Sequence, residues 1–382
     1  MQTLPRELGR WDTGKPGPTL LITGGIHGNE PAGVLAAQRV LAVLHEREPD
    51  VRGRVVALSG NRPALAKQRR FLDRDLNRGW DAESIAQLQQ RPATERSPED
   101  EQQHDLLQQF DEIGRSASGA LVYLDLHTSS ADGAPFLCLA DTIDNRRLGL
   151  ATGVPIILGI EETIEGASLE WFAERGIASL AVEGGRHECP AAVDNHEAVL
   201  WIMLTHLGIL PEGFVDLAPF RERLVRAVGD APPIVEIVHR RKISAEERFR
   251  MEPGFLNFAR VAKGHLLARD RAGDILAPYG CHVVMPLYQE LGDDGFFLAR
   301  RVRSFWLWLA RWLRWAGVAR LLRILPGIRR DPDDANTLLA NRRVARWFVV
   351  EVFHLLGYRK QQPRGDLLAF RRRLSRPENR RL

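Results

Sequence analysis

Cysteine is scarce in this 382-residue chain: Cys138, Cys189 and Cys281 lie far apart and without C-x-x-C spacing. That excludes a disulfide framework and a thiolate metal site, and it fits reduced thiols in a cytoplasmic protein. Long charge-free apolar runs are missing too, since none reaches the roughly 18 residues of a membrane-spanning helix. The opening stretch MQTLPRELGRWDTG has no apolar segment of the kind a secretory signal carries, so no export signal is expected.

What remains is the composition of an ordinary globular protein, 44% apolar and 27% charged, and long enough for more than one core. The net charge of +4 hides an asymmetry. Residues 301–382 hold 20 Lys and Arg against 6 Asp and Glu, whereas residues 1–300 hold 33 against 43. The chain therefore reads as an acidic body with a basic tail.

Over the first 215 residues, short apolar runs alternate with helical patterns, which predicts a largely parallel α/β sheet. PTLLITGG, GRVVALSG, ALVYLDLH and ASLAVEGG are strand candidates. AGVLAAQRVLAVLHE after Pro31 has helical spacing, as does DNHEAVLWIMLTHLGIL, whose start Asp194 or Asn195 would cap. The polar, Pro-interrupted stretch between Asp81 and Asp105 reads as a surface insertion outside the core. From Pro232 to residue 300, short alternating runs separated by Gly, Asp and Pro predict a small β-rich domain, a compact barrel or sandwich.

The residues with chemistry follow the strand candidates. His27 and Glu30 stand three positions apart in LLITGGIHGNEPAG, so both can reach one ion. A catalytic zinc commonly takes three protein ligands, and His127 in VYLDLHTSS is the best third candidate. Both segments follow a strand, where such sheets present functional groups. GNRPALAKQRRFLDRDLNRGW delivers Arg70, Asp75, Asn77 and Arg78 after Asn61, and SLAVEGGRH places Glu183 at a strand end. Guanidinium groups there suit carboxylate recognition or carbonyl polarisation, and the carboxylate suits proton transfer. Taken singly, each has a plainer reading: a charged surface helix for the arginines, or an ion pair with Arg186 for Glu183.

In order, GGIHGNEPAG, NRPA, RRFLDRDLNRGW, LDLHTS and AVEGG make residues 18–215 resemble the succinylglutamate desuccinylase/aspartoacylase family, relatives of the zinc carboxypeptidases. The resemblance implies a zinc-carboxypeptidase-like mixed sheet flanked by helices, with one Zn2+ per chain held by His27, Glu30 and His127. It implies Glu183 as the general base and acid and Arg70 as the group that polarises the carbonyl. Asn77 and Arg78, with Asp75 beside them, would hold a substrate carboxylate. The implied reaction is hydrolysis of the amide of an N-acyl amino acid or related small carboxylate. Alternatives are a carboxypeptidase-type zinc peptidase, or a membrane-associated binding protein on the same fold. Ser168 and Glu170 are weaker candidates for the substrate wall. Glu161, Glu162 and Glu165 would repel a carboxylate-rich substrate if they face the pocket.

The tail departs from the family pattern and is expected to be a basic helical region over 301–382. Five of the nine tryptophans lie there. On a helical wheel Arg303, Arg311 and Arg314 fall within about 80° of one another. Phe305, Trp308, Leu309, Trp312 and Trp315 take the opposite side, and a break is expected near Gly317. Such a face suits packing on the acidic body or a second subunit in a homo-oligomer, peripheral membrane contact, or nucleic-acid contact. VARWFVVEVFHLLGY favours packing, and FRRRLSRPENRRL reads as a solvated end.

Overall fold

The computed structural model describes residues 4–315, 327–332, 334, 337–341, 358–364 and 367–372. In chain order the elements are β1 (Glu7–Asp12), β2 (Thr19–Gly24), α1 (Ala32–Arg47), β3 (Arg54–Ser59), α2 (Arg62–Lys67), α3 (Ala82–Gln90) and α4 (Pro98–Ser116). Then come β4 (Leu121–Ser129), β5 (Phe136–Leu139), α5 (Ile143–Thr152), β6 (Ile156–Leu158), α6 (Ser168–Glu174), β7 (Ala178–Arg186), α7 (Pro190–His206) and α8 (Ala218–Val228). The next stretch holds β8 (Ile234–Lys242), β9 (Arg250–Met251), β10 (Ala259–Val261), β11 (Leu266–Asp270), β12 (Gly273–Leu276), β13 (Cys281–Val284) and β14 (Asp294–Arg301). Last are α9 (Ser304–Trp315), β15 (Ile328–Arg330), β16 (Thr337–Asn341), β17 (Tyr358–Arg364) and β18 (Leu367–Arg372).

The four strand candidates of the first 215 residues became β2, β3, β4 and β7, all mutually parallel neighbours in the order β3-β2-β4-β7. β1 and β5 join this block antiparallel, so the sheet is mixed. Each central strand is buried on both faces, and its period of two divides it between two cores. In β2, Leu20 and Ile22 enter a cluster with α1 and α7, while Leu21 faces Trp80, Phe110 and Tyr123 on the other side.

Strands from the β-rich stretch continue the same sheet. β6 pairs in parallel with β8, and β14, β13 and β10 follow, giving eleven strands. A second sheet of β12, β11 and β9 faces them across a core of Met251, Leu267, Val283, Phe296 and Leu298. The β-rich stretch thus packs one sheet on another, and the larger of the two is continuous with the parallel block.

Three expectations need correction. The stretch Asp81–Asp105 joins the core, with Ile85 and Leu88 buried in the cluster that holds Trp80 and Phe110. Pro98 does not interrupt a helix but begins one, at the position where proline's missing N–H costs nothing. Ser97 and Asp100 close a reciprocal cap in front of it. For the same reason α7 starts at Pro190, a turn before Asp194 and Asn195, and Asn195 instead donates to the Gly184 carbonyl. The tail is not wholly helical: β15, β16, β18 and β17 form a separate antiparallel sheet around Leu338, Tyr358 and Phe370. Gly317, residues 344–357 of VARWFVVEVFHLLGY and residues 373–382 lie outside the described residues. Among the described residues no helix is long and apolar enough to cross a membrane.

The reclassified α4 matters for function because it carries Glu99, which has no solvent exposure. Its carboxylate accepts from Asn61 Nδ2 at 3.0 Å and from the backbone N–H groups of Leu72 and Asp73 at 2.7 and 3.1 Å. It thereby fixes the loop that runs through Arg70 to Arg78. Burial pushes this carboxyl up, but the three donors outweigh that and hold it below its ordinary 4.5. Its stabilisation is therefore full above that value and is lost as pH falls through the lower folded value. Glu99→Ala should cost about 2–4 kcal/mol in urea melts at pH 7, because three buried donors lose their acceptor. Glu99→Gln should flatten the acid side of the stability curve.

Candidate active site

β2 delivers His27 and Glu30 through a loop that only small residues permit. Gly25 has a φ of +74°, and a Cβ on Gly28 would lie 2.1 Å from the Ala64 carbonyl carbon. The loop can therefore tuck against the start of α2, where Asn61 accepts from Ala64 N as the helix cap. β4, adjacent in register, supplies His127.

Glu30, 2% exposed, joins the two histidines. Its Oε1 lies 2.9 Å from His27 Nδ1, its Oε2 lies 3.2 Å from His127 Nδ1, and Thr128 N donates to Oε2 at 2.8 Å. The other ring nitrogens face carboxylates. His27 Nε2 is 3.0 Å from Asp75 Oδ1, and His127 Nε2 is 3.0 Å from Asp125 Oδ2. One ligand atom from each of His27, Glu30 and His127 lies within 4.8 Å of the other two. Two imidazoles and a carboxylate, buried, with a carboxylate behind each imidazole, are the donor set and surroundings that suit Zn2+.

Glu183 sits beside His127 on the neighbouring strand, in register with it. Its Oε2 is buried and has no hydrogen-bond partner. Burial and the nearby Glu30 push its carboxyl up to about 7, against the pull of His127, His27 and Arg70. Arg70 donates to Asp75 at 3.0 Å and reaches Glu30 at 3.4 Å, while its Nε is buried without a partner. Asp75 is held well below the usual carboxylate range, because His27 and Arg70 outweigh its burial.

The remaining sequence candidates fall into two groups. Arg78 and Asn77 line the cavity in front of the histidines. The Arg78 guanidinium donates to the Asn77 carbonyl at 2.9 Å and stands 3.8 Å from Asp294, and Asn77 Oδ1 accepts from Ser168 N at 2.9 Å. Asp75 stands behind His27 and Arg70, off the cavity wall. Ser168 donates to Asp125 at 2.8 Å, so it also serves the metal-side network. Glu170 and Glu161 line the cavity, and Glu165 faces solvent.

A second tier of residues stands behind these. From the sequence Asp125 could orient His127 or simply belong to the strand end; it is wholly buried, stands behind His127 and accepts from Thr23 as well as Ser168. The others in this tier went unread in the sequence. Thr128, His187 and Gln289 form a chain, with Thr128 Oγ1 2.7 Å from His187 Nδ1 and Gln289 Oε1 3.1 Å from His187 Nε2. Gln289 comes from the loop between β13 and β14, 102 residues beyond His187, so nothing local marked it.

Residues 16–182 match the succinylglutamate desuccinylase/aspartoacylase catalytic domain. That matched segment is somewhat less than half of the chain, and over it the chain is similar to that family. A succinylglutamate desuccinylase of Photorhabdus laumondii is 32% identical over 129 residues, which cover 34% of this chain and 37% of that relative. The match thus spans little more than a third of the relative's length. Among solved structures, a succinylglutamate desuccinylase/aspartoacylase from Rhodobacter sphaeroides shares 20% identity at a TM-score of 0.52, covering 76% of this chain and 87% of its own. Murine aminoacylase 3 shares 20% identity at the same TM-score, covering 75% of this chain and 96% of its own. At that identity the two structures establish a shared fold, the mixed α/β sheet flanked by helices.

Were zinc held by these three residues, replacing one would empty the site without unfolding the chain. His127→Ala is then expected to bind far less zinc than the parent protein in elemental analysis after loading with zinc. Asp75→Asn should keep the site but lower zinc affinity by about 10–100-fold, since it removes only the carboxylate behind His27. Full metal retention in His127→Ala would remove His127 from the ligand set.

Proposed function

We propose that the chain is a zinc-dependent hydrolase that cleaves the amide of an N-acyl amino acid carrying one free carboxylate. The observation that carries this reading is the unpartnered Oε2 of Glu183, poised near neutral pKa beside the His27, Glu30 and His127 cluster. A zinc ion held by those three residues supplies Lewis acidity and lowers the pKa of water towards about 7. Glu183 takes the proton of the attacking water at Oε2 and returns it to the departing amine. A group with a pKa near 7 suits both halves of that transfer. Arg70, fixed by Asp75 and Glu30, places positive charge where negative charge develops on the carbonyl oxygen. Arg78 recognises the free carboxylate, and Asn77 holds the adjoining chain in place.

The cavity supports a small substrate. It has a volume of about 180 Å³, and the loop between β13 and β14 forms one wall through Met285, Leu287 and Gln289. Another wall is apolar, made by Leu139, Ile160, Ile164, Leu169 and Phe297. Among the described lining residues, Arg70 and Arg78 are the only Arg or Lys, and each already faces a carboxylate. Glu161 lines the same space, and its Oε2 is buried without a partner. A second substrate carboxylate would meet that charge unpaired, so we infer an apolar remainder in place of a succinyl or glutamyl one.

Amine release from a panel of N-acyl amino acids tests both parts. N-acyl amino acids with apolar side chains should be turned over faster than dicarboxylic analogues, and peptides should be poor substrates. Glu183→Gln should retain zinc while kcat falls by about 10²–10⁴-fold. In Arg78→Ala, KM should rise for carboxylate substrates and barely change for their neutral amides. Near-normal turnover by Glu183→Gln would eliminate it as the base.

A further inference from the structure

Four large aromatic side chains stand in solvent within eight residues of α9: Phe305 (59% exposed), Trp306 (47%), Trp308 (57%) and Trp312 (49%). Phe305 touches two of the others, with ring centroids 5.4 Å apart for Phe305–Trp306 and 6.2 Å for Phe305–Trp308. Leaving this much aromatic surface in water is unfavourable, so a stable protein keeps such a patch only for a partner.

The helix already has a seat, and Phe305, Trp308 and Trp312 are not part of it. Leu313 packs against the Leu338, Tyr358 and Phe370 cluster of the tail sheet. At 100° per residue, Trp308, Trp312 and Phe305 fall within about 60° of one another, roughly 100° around the helix from Leu313, whereas Trp306 lies on the Leu313 side. Arg303 is exposed at the start of the helix, and positions 311 and 314 fall on its side of the wheel, away from the rings.

We propose that α9 docks flat onto an anionic lipid surface, with Phe305, Trp308 and Trp312 in the headgroup boundary and the arginine side towards lipid phosphates. Three observations favour this occupant. Phe305, Trp308 and Trp312 share one side of the helix and Arg303 stands on the other, the pattern of an interfacial helix. Base stacking calls instead for rings and cations along one strand-wide track. The region from 301 onward carries 20 basic against 6 acidic residues, a charge complementary to anionic lipid. Finally, the described 12 residues of the helix are long enough to lie in a bilayer surface, and among the described residues no helix is long and apolar enough to cross one. This inference does not rest on the proposed hydrolysis.

The test is co-sedimentation of the full-length, zinc-loaded protein with phosphatidylcholine vesicles, with and without about 30% phosphatidylglycerol, at low and high salt. Binding is expected to the anionic vesicles, at least about tenfold above the neutral ones, and to weaken with salt. A W308S/W312S variant should lose binding by at least about tenfold while zinc content and thermal melt stay unchanged. W308Y/W312Y should restore much of it, since tyrosine also favours that boundary. Absence of sedimentation with anionic vesicles, or equal binding by W308S/W312S, would overturn the proposal. So would a dimer in sedimentation velocity that W308S/W312S dissolves, or a single-stranded oligonucleotide that binds the patch more tightly than the vesicles.

Discussion

Glu30 places a carboxylate where only 2% of it meets solvent, and the N-terminal part of the molecule is arranged around making that tolerable. A buried charge is costly unless every lone pair finds a donor. Here one oxygen faces His27 and Arg70, and the other faces His127 and the Thr128 amide. Those partners come from the β2 loop, the loop after α2, and β4. No single element could satisfy Glu30, so the folded site and the folded sheet are the same event. The loop's tight glycines, the Asp75 and Asp125 carboxylates behind the rings, and the anchoring of residues 70–78 by Glu99 all follow from that requirement.

Placed next to this centre, Glu183 gains its character from position. It projects from β7 in register with His127, close enough to Glu30 for like charges to resist each other. Burial works in the same direction. The same environment that holds Glu30 ionised thus leaves Glu183 near neutrality at pH 7, and the two carboxylates acquire different tasks from a few ångströms of separation.

How much of this was legible in the sequence depended on whether the signal was local. Strand runs ending in His27, His127 and Glu183 were readable because parallel strands are apolar throughout and their functional groups come at the end. Pro98 misled because proline marks the first turn of a helix as readily as it breaks one, and Pro190 likewise opens α7. Ser97-Pro98-Glu99-Asp100 already contained the cap that would have resolved it. Gln289 and the pairing of β6 with β8 were invisible because they join residues far apart, through hydrogen bonds that hydropathy does not encode. The tail sheet was hidden by arginines: Arg329, Arg330, Arg359, Arg371 and Arg372 punctuate strands whose apolar side is narrow.

The pairing of β6 with β8 has a mechanical meaning. Because β8 and β14 extend the very sheet that bears His127 and Glu183, the loop forming the far wall is tied to the catalytic strands by continuous backbone hydrogen bonds. Both ends of that loop are therefore anchored to the sheet, so the position of the wall follows from strand pairing and its shape from the loop's own residues, Met285, Leu287 and Gln289.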